Sequence, residues 1–260
     1  MGQIVREAPG KVYVATKVPP KNQLWPARPG IPIGEAFPYD YTVACTEQSL
    51  RNLNTGTIDL QQFHVWNPEW IRSDDWRRAI EDLKKSGKVR AFGISINDHQ
   101  PDTALELIAT GMIDTVQVIY NVFDQSPEAN LLPACIQHDI GVLARVPLDE
   151  GALTGTITEQ TTFDKGDFRG FYFRGDRKRE VVGHVDALRR DLEGLEGPEG
   201  TLPEIALRFC LSNPAVSTVI PGMRRVKNVE SNTRLSERGA LPAKVMEILR
   251  RHAWDKNYYS

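Results

Sequence analysis

The sequence predicts an α/β protein of the (β/α)-barrel type in which about six strands are present. Short apolar runs alternate with segments of helical periodicity, which favours a parallel sheet. The runs also turn polar where they end, as a barrel requires when several strands contribute to one active site. A chain of 260 residues can form one such domain with a large core, and we expect a single domain over residues 1–260.

The predicted strands are apolar runs with a polar residue at or near the carboxyl end. In chain order they are Val12–Val18, Thr57–Val65, Ala91–Ile96, Thr115–Tyr120, Gly141–Val146 and Ser217–Ile220. A complete (β/α) barrel has eight strands, so these six runs predict an incomplete barrel. We expect its first and last strands to be open apolar edges, which promote association into a homo-oligomer or aggregation.

Helical patterns connect the strands. The connection Pro19–Pro38 is rich in proline and is typical of a surface loop. A helix follows from Asp40 to Leu53 with Val43, Leu50 and Leu53 on its inner face, and the next helix is predicted to have Ser73 as its N-cap and Gly87 as its stop. Further helices are predicted at Asp102–Ala109, Pro127–Gln137, Arg177–Leu195, Leu202–Leu211, Val226–Leu235 and Pro242–His252.

The longest connection is Asp149–Gly200. Its first part (GALTGTITEQTTFDKGDFRGFYFRGD) is rich in glycine, aromatic and charged residues. This composition predicts a long active-site loop rather than a linker. Its aromatic residues, like Trp66 and Trp70 after the second strand, either line a substrate pocket or serve only in packing.

Composition narrows the function classes. The formal net charge of -2 argues against nucleic acid as a partner, and no apolar run approaches the roughly 20 residues of a membrane span. The start of the chain (MGQIVREAPGK) has no apolar core of a secretory signal, so we expect a cytoplasmic protein. The three widely spaced cysteines predict buried thiols, and no His, Cys, Asp or Glu cluster has the spacing of metal ligands.

Two strand ends carry residues suited to chemistry. Lys17 ends an apolar run, where lysine is rare unless it is paired or functional; the alternative is a lysine that extends out of the barrel mouth. His64 ends the next run, where a hydrogen-bonded structural histidine is the commoner case. Because both residues end adjacent parallel strands, we expect both to point into one pocket.

Motifs along the whole chain point to one family. In order they are VYVATKV, SLRNLNTGTIDLQQFHVW, SGKVRAFGIS, VQVIYN, PLDEGALTG and IPGMRRVKNVESN. With these motifs the chain resembles the aldo-keto reductase family. The resemblance implies a TIM barrel and an NADPH-dependent oxidoreductase that reduces the carbonyl group of a small aldehyde or ketone.

The resemblance also implies a set of catalytic residues, of which half have a match. In the family a tyrosine donates a proton to the carbonyl oxygen, a lysine lowers the pKa of that tyrosine, an aspartate pairs with the lysine, and a histidine orients the carbonyl. Lys17 matches the lysine and His64 the histidine. The aspartate and tyrosine lie upstream in the family, and the chain shows no counterpart of them. We do not expect Tyr13, Tyr39 or Tyr41 to replace the tyrosine.

The cofactor residues implied by the resemblance are better represented. Ser95 and Gln117 match residues that hold the nicotinamide carboxamide, and the asparagine that usually follows the serine is displaced to Asn97. Arg145 matches a position that stacks on the nicotinamide ring; the alternative is a salt bridge at the barrel mouth. Leu148, Gly151, Leu153 and Gly155 match the loop around the pyrophosphate; Gly222, Met223 and Arg224 match the turn that receives the adenosine phosphate; Asn228 and Asn232 match adenine contacts.

These residues support two readings of different class. In the first, the protein is an NADP-dependent aldo-keto reductase acting on a small carbonyl compound. In the second, it is a catalytically incomplete NADP-binding or interaction protein of the same fold, or the chain is a partial gene product. Arg224, if it faces the 2′-phosphate of the cofactor, favours NADP over NAD.

Overall fold

The computed structural model describes residues 2–8, 12–193 and 200–260. Six parallel strands form one sheet with the order β1-β2-β3-β4-β5-β6, and the sheet is not closed over the described residues. The strands are β1 (Ala15–Val18), β2 (Ile58–Phe63), β3 (Val89–Ser95), β4 (Thr115–Ile119), β5 (Gly141–Arg145) and β6 (Val216–Val219). Every predicted strand overlaps one of these, which confirms the predicted α/β class and strand number.

Eleven α-helices are present in the part of the chain that the structure describes. They are α1 (Gly2–Glu7), α2 (Ile33–Ala36), α3 (Tyr39–Leu53), α4 (Asp75–Lys85), α5 (Leu105–Ala109), α6 (Leu131–Gln137), α7 (Phe168–Tyr172), α8 (Arg177–Glu193), α9 (Leu202–Leu211), α10 (Val226–Arg234) and α11 (Ala243–Arg250). Short 3-10 helices lie at Pro68–Arg72, Pro101–Ala104, Ser126–Glu128, Asp149–Thr154 and Leu235–Glu237. Leu195, the predicted end of one helix, lies outside the described residues.

The chain divides into two compact units. The first contains residues 1–118 and 130–142, and the second contains residues 119–129 and 143–260. None of the described helices is long and apolar enough to cross a membrane.

Aromatic rings fill much of the core of the first unit. Phe63 on β2 stacks on Phe37 with ring centroids 4.3 Å apart and meets Phe92 on β3 edge to face at 4.9 Å. Trp66 and Trp76 are fully buried and meet edge to face at 5.4 Å. This packing fixes the helix layer against β2 and β3, and so fixes where those strands end.

One prediction about the helices of this unit is confirmed in part and another is wrong. On the predicted inner face of α3, Leu53 is buried whereas Val43 and Leu50 are half-buried, and the helix also buries Thr42 and Thr46. Gln61 on β2 donates a hydrogen bond of 3.0 Å from its amide group to the Thr46 hydroxyl, which satisfies this polar pair inside the core. Ser73 does not cap α4: it closes the preceding 3-10 helix, and Asp74 occupies the N-cap position.

The proline-rich connection is more than a surface loop. It contains α2 and buries Ile33 and Phe37. Its backbone is held by side chains of other elements: the Asn97 amide donates to and accepts from the backbone of Ala27, and the Trp70 indole donates to the carbonyl of Ile31 at 2.7 Å. Residues distant in sequence therefore decide the conformation of this segment.

The core of the second unit is built on α8 and α9. Val181, Val185 and Leu188 form the buried face of α8, as its periodicity predicts. The start of α9 is fixed by a capping box in which Thr201 and Glu204 exchange hydrogen bonds. The long connection before α8 contains the 3-10 helix Asp149–Thr154 and α7.

Candidate active site

The strand register of the first unit places four predicted residues on one face of the sheet. Lys17 lies opposite Gln62, Gln62 opposite Gly93, and Ser95 opposite Gln117. The backbone N–H of His64 donates to Val18 and continues the ladder beyond β2. Because side chains alternate between faces, positions two residues apart share a face.

It follows that Lys17, His64, Ser95 and Gln117 share one face at the carboxyl ends of β1 to β4. Ser95 and Gln117 are buried, with 3 % and 4 % of their surface exposed, whereas Lys17 and His64 are half-buried. The amide of Gln117 and the hydroxyl of Ser95 are thus buried, whereas the ammonium group of Lys17 and the imidazole of His64 lie nearer the solvent. This is a suitable donor set for a polar ligand that enters from the carboxyl end.

Gln62 belongs to the same face, although the sequence analysis missed it. It is buried, and its amide NH₂ donates to the side-chain oxygen of Gln117 at 3.4 Å. With that oxygen engaged, the NH₂ group of Gln117 is the natural donor toward a ligand. The signal in the sequence is the polar pair Gln61-Gln62 in the middle of an apolar strand, which alternation assigns to opposite faces.

The aromatic side chain beside His64 is Trp25. The two rings meet edge to face with centroids 5.6 Å apart, and Trp25 is 47 % exposed. The segment that carries Trp25 is held by Asn97, whose amide binds the backbone of Ala27. The amide of Asn97 therefore anchors this segment, and this hydrogen bonding occupies the side chain that would otherwise be available to the nicotinamide carboxamide.

The environments of Tyr39 and Tyr41 in the first unit raise the pKa of each phenol rather than lowering it toward neutrality. A hydrogen bond to Asp82 raises the pKa of Tyr39. The hydroxyl of Tyr41 donates to the carbonyl of Pro19, and burial with the neighbouring Cys45 raises its pKa to about 12. Tyr13 lies ahead of β1 and is 87 % exposed. These environments do not prepare a phenol for general acid catalysis.

In the second unit the 148–155 loop has an unusual backbone. Asp149, Glu150 and Gly151 have φ values of 49°, 53° and 108°. Left-handed conformations in residues other than glycine cost free energy and concentrate at functional sites. Here three consecutive residues have positive φ, and only the third is a glycine, which adopts this conformation without strain.

Internal hydrogen bonds hold that loop in place. The N–H groups of Gly151 and Leu153 both donate to the carbonyl of Leu148, and that of Gly155 donates to Ala152. Gly155 also accepts from Arg189, whose guanidinium would lie 2.1 Å from a side chain at this position. The flexible end of Arg189 could move away from a side chain, but the φ of 68° at Gly155 favours glycine independently of any ligand.

A buried charged cluster stands behind the loop. Lys256 donates to Asp149 at 2.7 Å and to the Tyr172 hydroxyl at 2.8 Å, and Tyr172 donates to Asp149 at 2.9 Å. Burial, with the charge of Asp149, raises the pKa of Tyr172. The phenol is therefore a neutral donor in the core. The sequence does not indicate this cluster because Tyr172 and Asp149 lie 84 and 107 residues from Lys256.

The predicted adenosine site lies on an exposed surface. Met223 and Arg224 in the turn after β6 are exposed, as is Gly222, which has open space around it. Asn228 and Asn232 are one helical turn apart on α10, which buries none of its residues. Arg169, and further away Arg224, help to lower the pKa of Asp167 to about 2.

Arg145 ends β5 in this unit and is half-buried, and its carbonyl accepts from the backbone N–H of Tyr120.

The three cysteines form no disulfide, and burial raises the pKa of the Cys135 thiol to about 12. Among residues 2–8, 12–193 and 200–260, no group of three or more His, Cys, Asp or Glu side chains is arranged to hold a metal ion.

Comparison with known proteins gives consistent results. The family model described as "Aldo/keto reductase family" matches residues 1–253. Aldo-keto reductase YhdN of Bacillus subtilis is 30% identical over 188 residues, which are 71% of this chain and 55% of that protein. The NADH-specific methylglyoxal reductase of Escherichia coli is 27% identical over 187 residues, which are 71% of this chain and 56% of that protein. The matches thus span little more than half the length of these relatives.

The fold comparison extends over nearly the whole chain. The structure of the glycerol dehydrogenase of Gluconobacter oxydans matches with a TM-score of 0.75 and 25% identity, covering 98% of this chain and 77% of that protein. The parallel sheet and its helices are therefore those of a known reductase fold, present here over six strands.

Proposed function

This chain belongs to the aldo-keto reductase family, and from that premise we propose that it binds NADPH at the carboxyl ends of its strands and acts on the carbonyl group of a small aldehyde or ketone. The observation that carries this proposal is the common face of Lys17, His64 and Gln117, which follows from the strand register. A cation, an imidazole and a buried amide are suited to a polar carbonyl ligand and a carboxamide.

The residues present fit a nicotinamide cofactor. Gln117 and Ser95 supply a buried amide and hydroxyl for a carboxamide. The turn before α10 carries Arg224 and Arg225 at an exposed helix N-terminus, where an anion is favoured. When bound, NADPH supplies the hydride; these residues bind and orient it.

His64 and Lys17 have separate roles in this proposal. An imidazole N–H of His64 orients the carbonyl oxygen and stabilises the negative charge that develops on it. The ammonium group of Lys17 favours the ionised form of an acidic group beside it, which lowers the pKa of that group. Trp25, edge to face with His64, supplies an apolar wall for the substrate.

Coenzyme choice provides the first test. Since a relative is named NADH-specific, the preference of this chain rests on Arg224 and the phosphate that it would contact. We expect wild type to bind NADPH more tightly than NADH, and Arg224→Ala to lose about 1.5–3 kcal/mol of NADPH binding, as for other hydrogen bonds to charged groups. Isothermal titration with both cofactors measures this.

The control for this experiment is Lys227→Ala, which removes a neighbouring exposed cation on α10. It should change the NADPH affinity much less than Arg224→Ala does, because a more distant surface charge is screened by salt. Equal affinity of the wild type for NADPH and NADH would contradict the proposal.

A second candidate function is cofactor binding without efficient reduction. The observation that favours it is the environment of Tyr39 and Tyr41 in the first unit, which raises the pKa of both phenols. Such a protein would bind NADPH normally and turn over carbonyl compounds slowly. Binding and turnover measured on one preparation separate the two candidates.

We also expect this protein to associate with a second copy of itself through the edges of its open sheet. Tyr13, near β1, is 87 % exposed, and Ile220, directly after β6, is 42 % exposed. Covering Ile220 with a second copy would contribute about 1 kcal/mol, so Ile220→Lys should weaken association roughly fivefold. Sedimentation velocity over a concentration series measures it, with Ser217→Lys on β6 as the polar-site control. A monomer at all concentrations would contradict the expectation.

A further inference from the structure

The 148–155 loop carries two acids where the proposed function requires an anion to bind. Asp149 and Glu150 lie directly between Leu148 and Gly151, both of which the resemblance assigns to the pyrophosphate. Two carboxylates next to a diphosphate repel it unless their charge is taken up elsewhere. In the structure both carboxylates are bound by residues 254–260, the C-terminal segment: the Lys256 cation pairs with Asp149, and the Tyr259 hydroxyl donates a hydrogen bond to Glu150.

Lys256 takes up the charge of Asp149. The two side chains are 6 % and 4 % exposed and are joined at 2.7 Å. The ammonium group also lies over the rings of Tyr172 and Tyr258, at 5.2 Å and 4.8 Å from their centroids. The second carboxylate oxygen of Asp149 is buried with no hydrogen-bond partner among the described residues, so without Lys256 this carboxylate would lose its cation inside the protein.

Tyr259 binds the second acid. Its hydroxyl donates to Glu150 at 2.7 Å, and its ring stacks on Phe168 with centroids 5.8 Å apart. Glu150 has a left-handed backbone with φ 53°. The phenol holds the carboxylate toward the C-terminal segment.

The C-terminal segment itself is firmly attached to the second unit. Trp254 stacks on His184 with centroids 3.7 Å apart, and its backbone N–H donates to Phe123 at 2.8 Å. Arg177 donates to the carbonyl of Tyr258, whose hydroxyl binds Glu180. These contacts fix Lys256 and Tyr259 relative to the loop.

We propose that Lys256 and Tyr259 are positioning residues for the pyrophosphate: Lys256 compensates the charge of Asp149, and Tyr259 holds the Glu150 carboxylate toward the C-terminal segment, so that the 148–155 loop accepts a diphosphate. This inference rests on the proposed function, because it needs the loop to bind NADPH. Neither residue touches the cofactor in this proposal; each acts through one acid of the loop.

The test compares two ligands on the same variants. NADPH contains the pyrophosphate, and adenosine 2′-monophosphate contains the adenosine phosphate without it. Lys256→Met should weaken NADPH binding roughly 10–100-fold, since an uncompensated charge then lies near the diphosphate, and should leave binding of adenosine 2′-monophosphate unchanged. Lys244→Met, an exposed lysine on α11, is the matched control and should change neither.

A charge-removing second substitution checks the cause. In Asp149→Asn with Lys256→Met both charges are absent, and NADPH affinity should return to within roughly threefold of wild type. Tyr259→Phe should weaken NADPH binding roughly threefold to tenfold, and adding Glu150→Gln should restore it. Tyr39→Phe removes a phenol–carboxylate hydrogen bond elsewhere and serves as its control.

The outcomes are distinct. A folded Lys256→Met variant that binds NADPH like wild type overturns the proposal, as does an equal loss for both ligands, which would indicate a purely structural role. If Lys256→Met does not fold cooperatively, two other variants decide. Asp149→Asn with Lys256→Met should bind NADPH nearly as tightly as wild type, and Tyr259→Phe should bind NADPH more weakly than wild type but adenosine 2′-monophosphate equally well; the opposite results overturn the proposal. A wild type that binds adenosine 2′-monophosphate but not NADPH also overturns it, whereas a wild type that binds neither ligand overturns the proposed function and this inference with it.

Discussion

Aldehyde reduction by this chain is expected to be slow, at roughly 10⁻³–10⁻¹ s⁻¹, against a typical enzyme turnover of about 10 s⁻¹. General acid catalysis contributes about 10²–10⁴-fold to such reactions. Lys17 and His64 are present on one face, but the described tyrosines offer no activated acid there. We expect the loss to appear in kcat, because it removes an interaction of the transition state.

The environment of the phenols explains this expectation. Six of the seven tyrosines use the hydroxyl to donate to a carboxylate or a carbonyl, which stabilises the protonated phenol. The pairs are Tyr39 with Asp82, Tyr41 with Pro19, Tyr120 with Glu128, Tyr172 with Asp149, Tyr258 with Glu180 and Tyr259 with Glu150. Tyr172 does have a cation beside it, because Lys256 donates to its hydroxyl, but burial and the charge of Asp149 still raise the pKa of this phenol.

Steady-state assays with NADPH and a panel of aldehydes measure the rate, and His64→Gln is the informative variant. If His64 orients the carbonyl, the residual rate falls further, by roughly tenfold or more. Trp76→Phe removes volume and an indole hydrogen bond from a fully buried core residue, so it controls for loss of folded protein. Turnover at about 1 s⁻¹ or faster in the wild type, the low end of ordinary turnover, would mean that another residue acts as the acid.

Much of the fold could be predicted because it depends on local patterns. All six strands follow from apolar runs with polar ends, and their observed bounds lie within the predicted ones or within two residues of them. The common face of Lys17, His64 and Gln117 follows from parallel pairing, which alternation makes readable from sequence.

The remaining features depend on contacts between distant residues. Thr46 is buried because Gln61 needs an acceptor, and the proline-rich connection is fixed because Asn97 binds Ala27. Nothing in the sequence around Asp149 indicates that Lys256 lies against it. Such pairings satisfy buried polar groups, and the partner of a buried polar group is decided by the assembled fold.

The largest stability effect is expected at Gly93 on β3. A side chain at this position would lie 2.1 Å from the Thr115 hydroxyl and 2.5 Å from the Thr115 carbonyl oxygen on β4. Gly93 and Thr115 are direct partners in the ladder between the two strands. The clash therefore cannot be relieved by turning a side chain alone: β3 and β4 must separate locally.

Gly93→Ala should lower the free energy of unfolding by about 3 kcal/mol or more, at the upper end for overpacked cores. Gly183→Ala is the matched control, because Gly183 lies within α8 with open space around it; there alanine should stabilise by about 0.5–1 kcal/mol. Urea unfolding followed by circular dichroism measures both changes.

A third variant identifies the cause of the loss. Adding Thr115→Ala to Gly93→Ala removes the hydroxyl but not the carbonyl oxygen, so only part of the stability should return. Because Gly93 lies on the face of Lys17 and Gln117, local separation of β3 from β4 should also move Gln117 and weaken NADPH binding. Equal unfolding free energies for Gly93→Ala and wild type would show that the two strands are not held at this spacing.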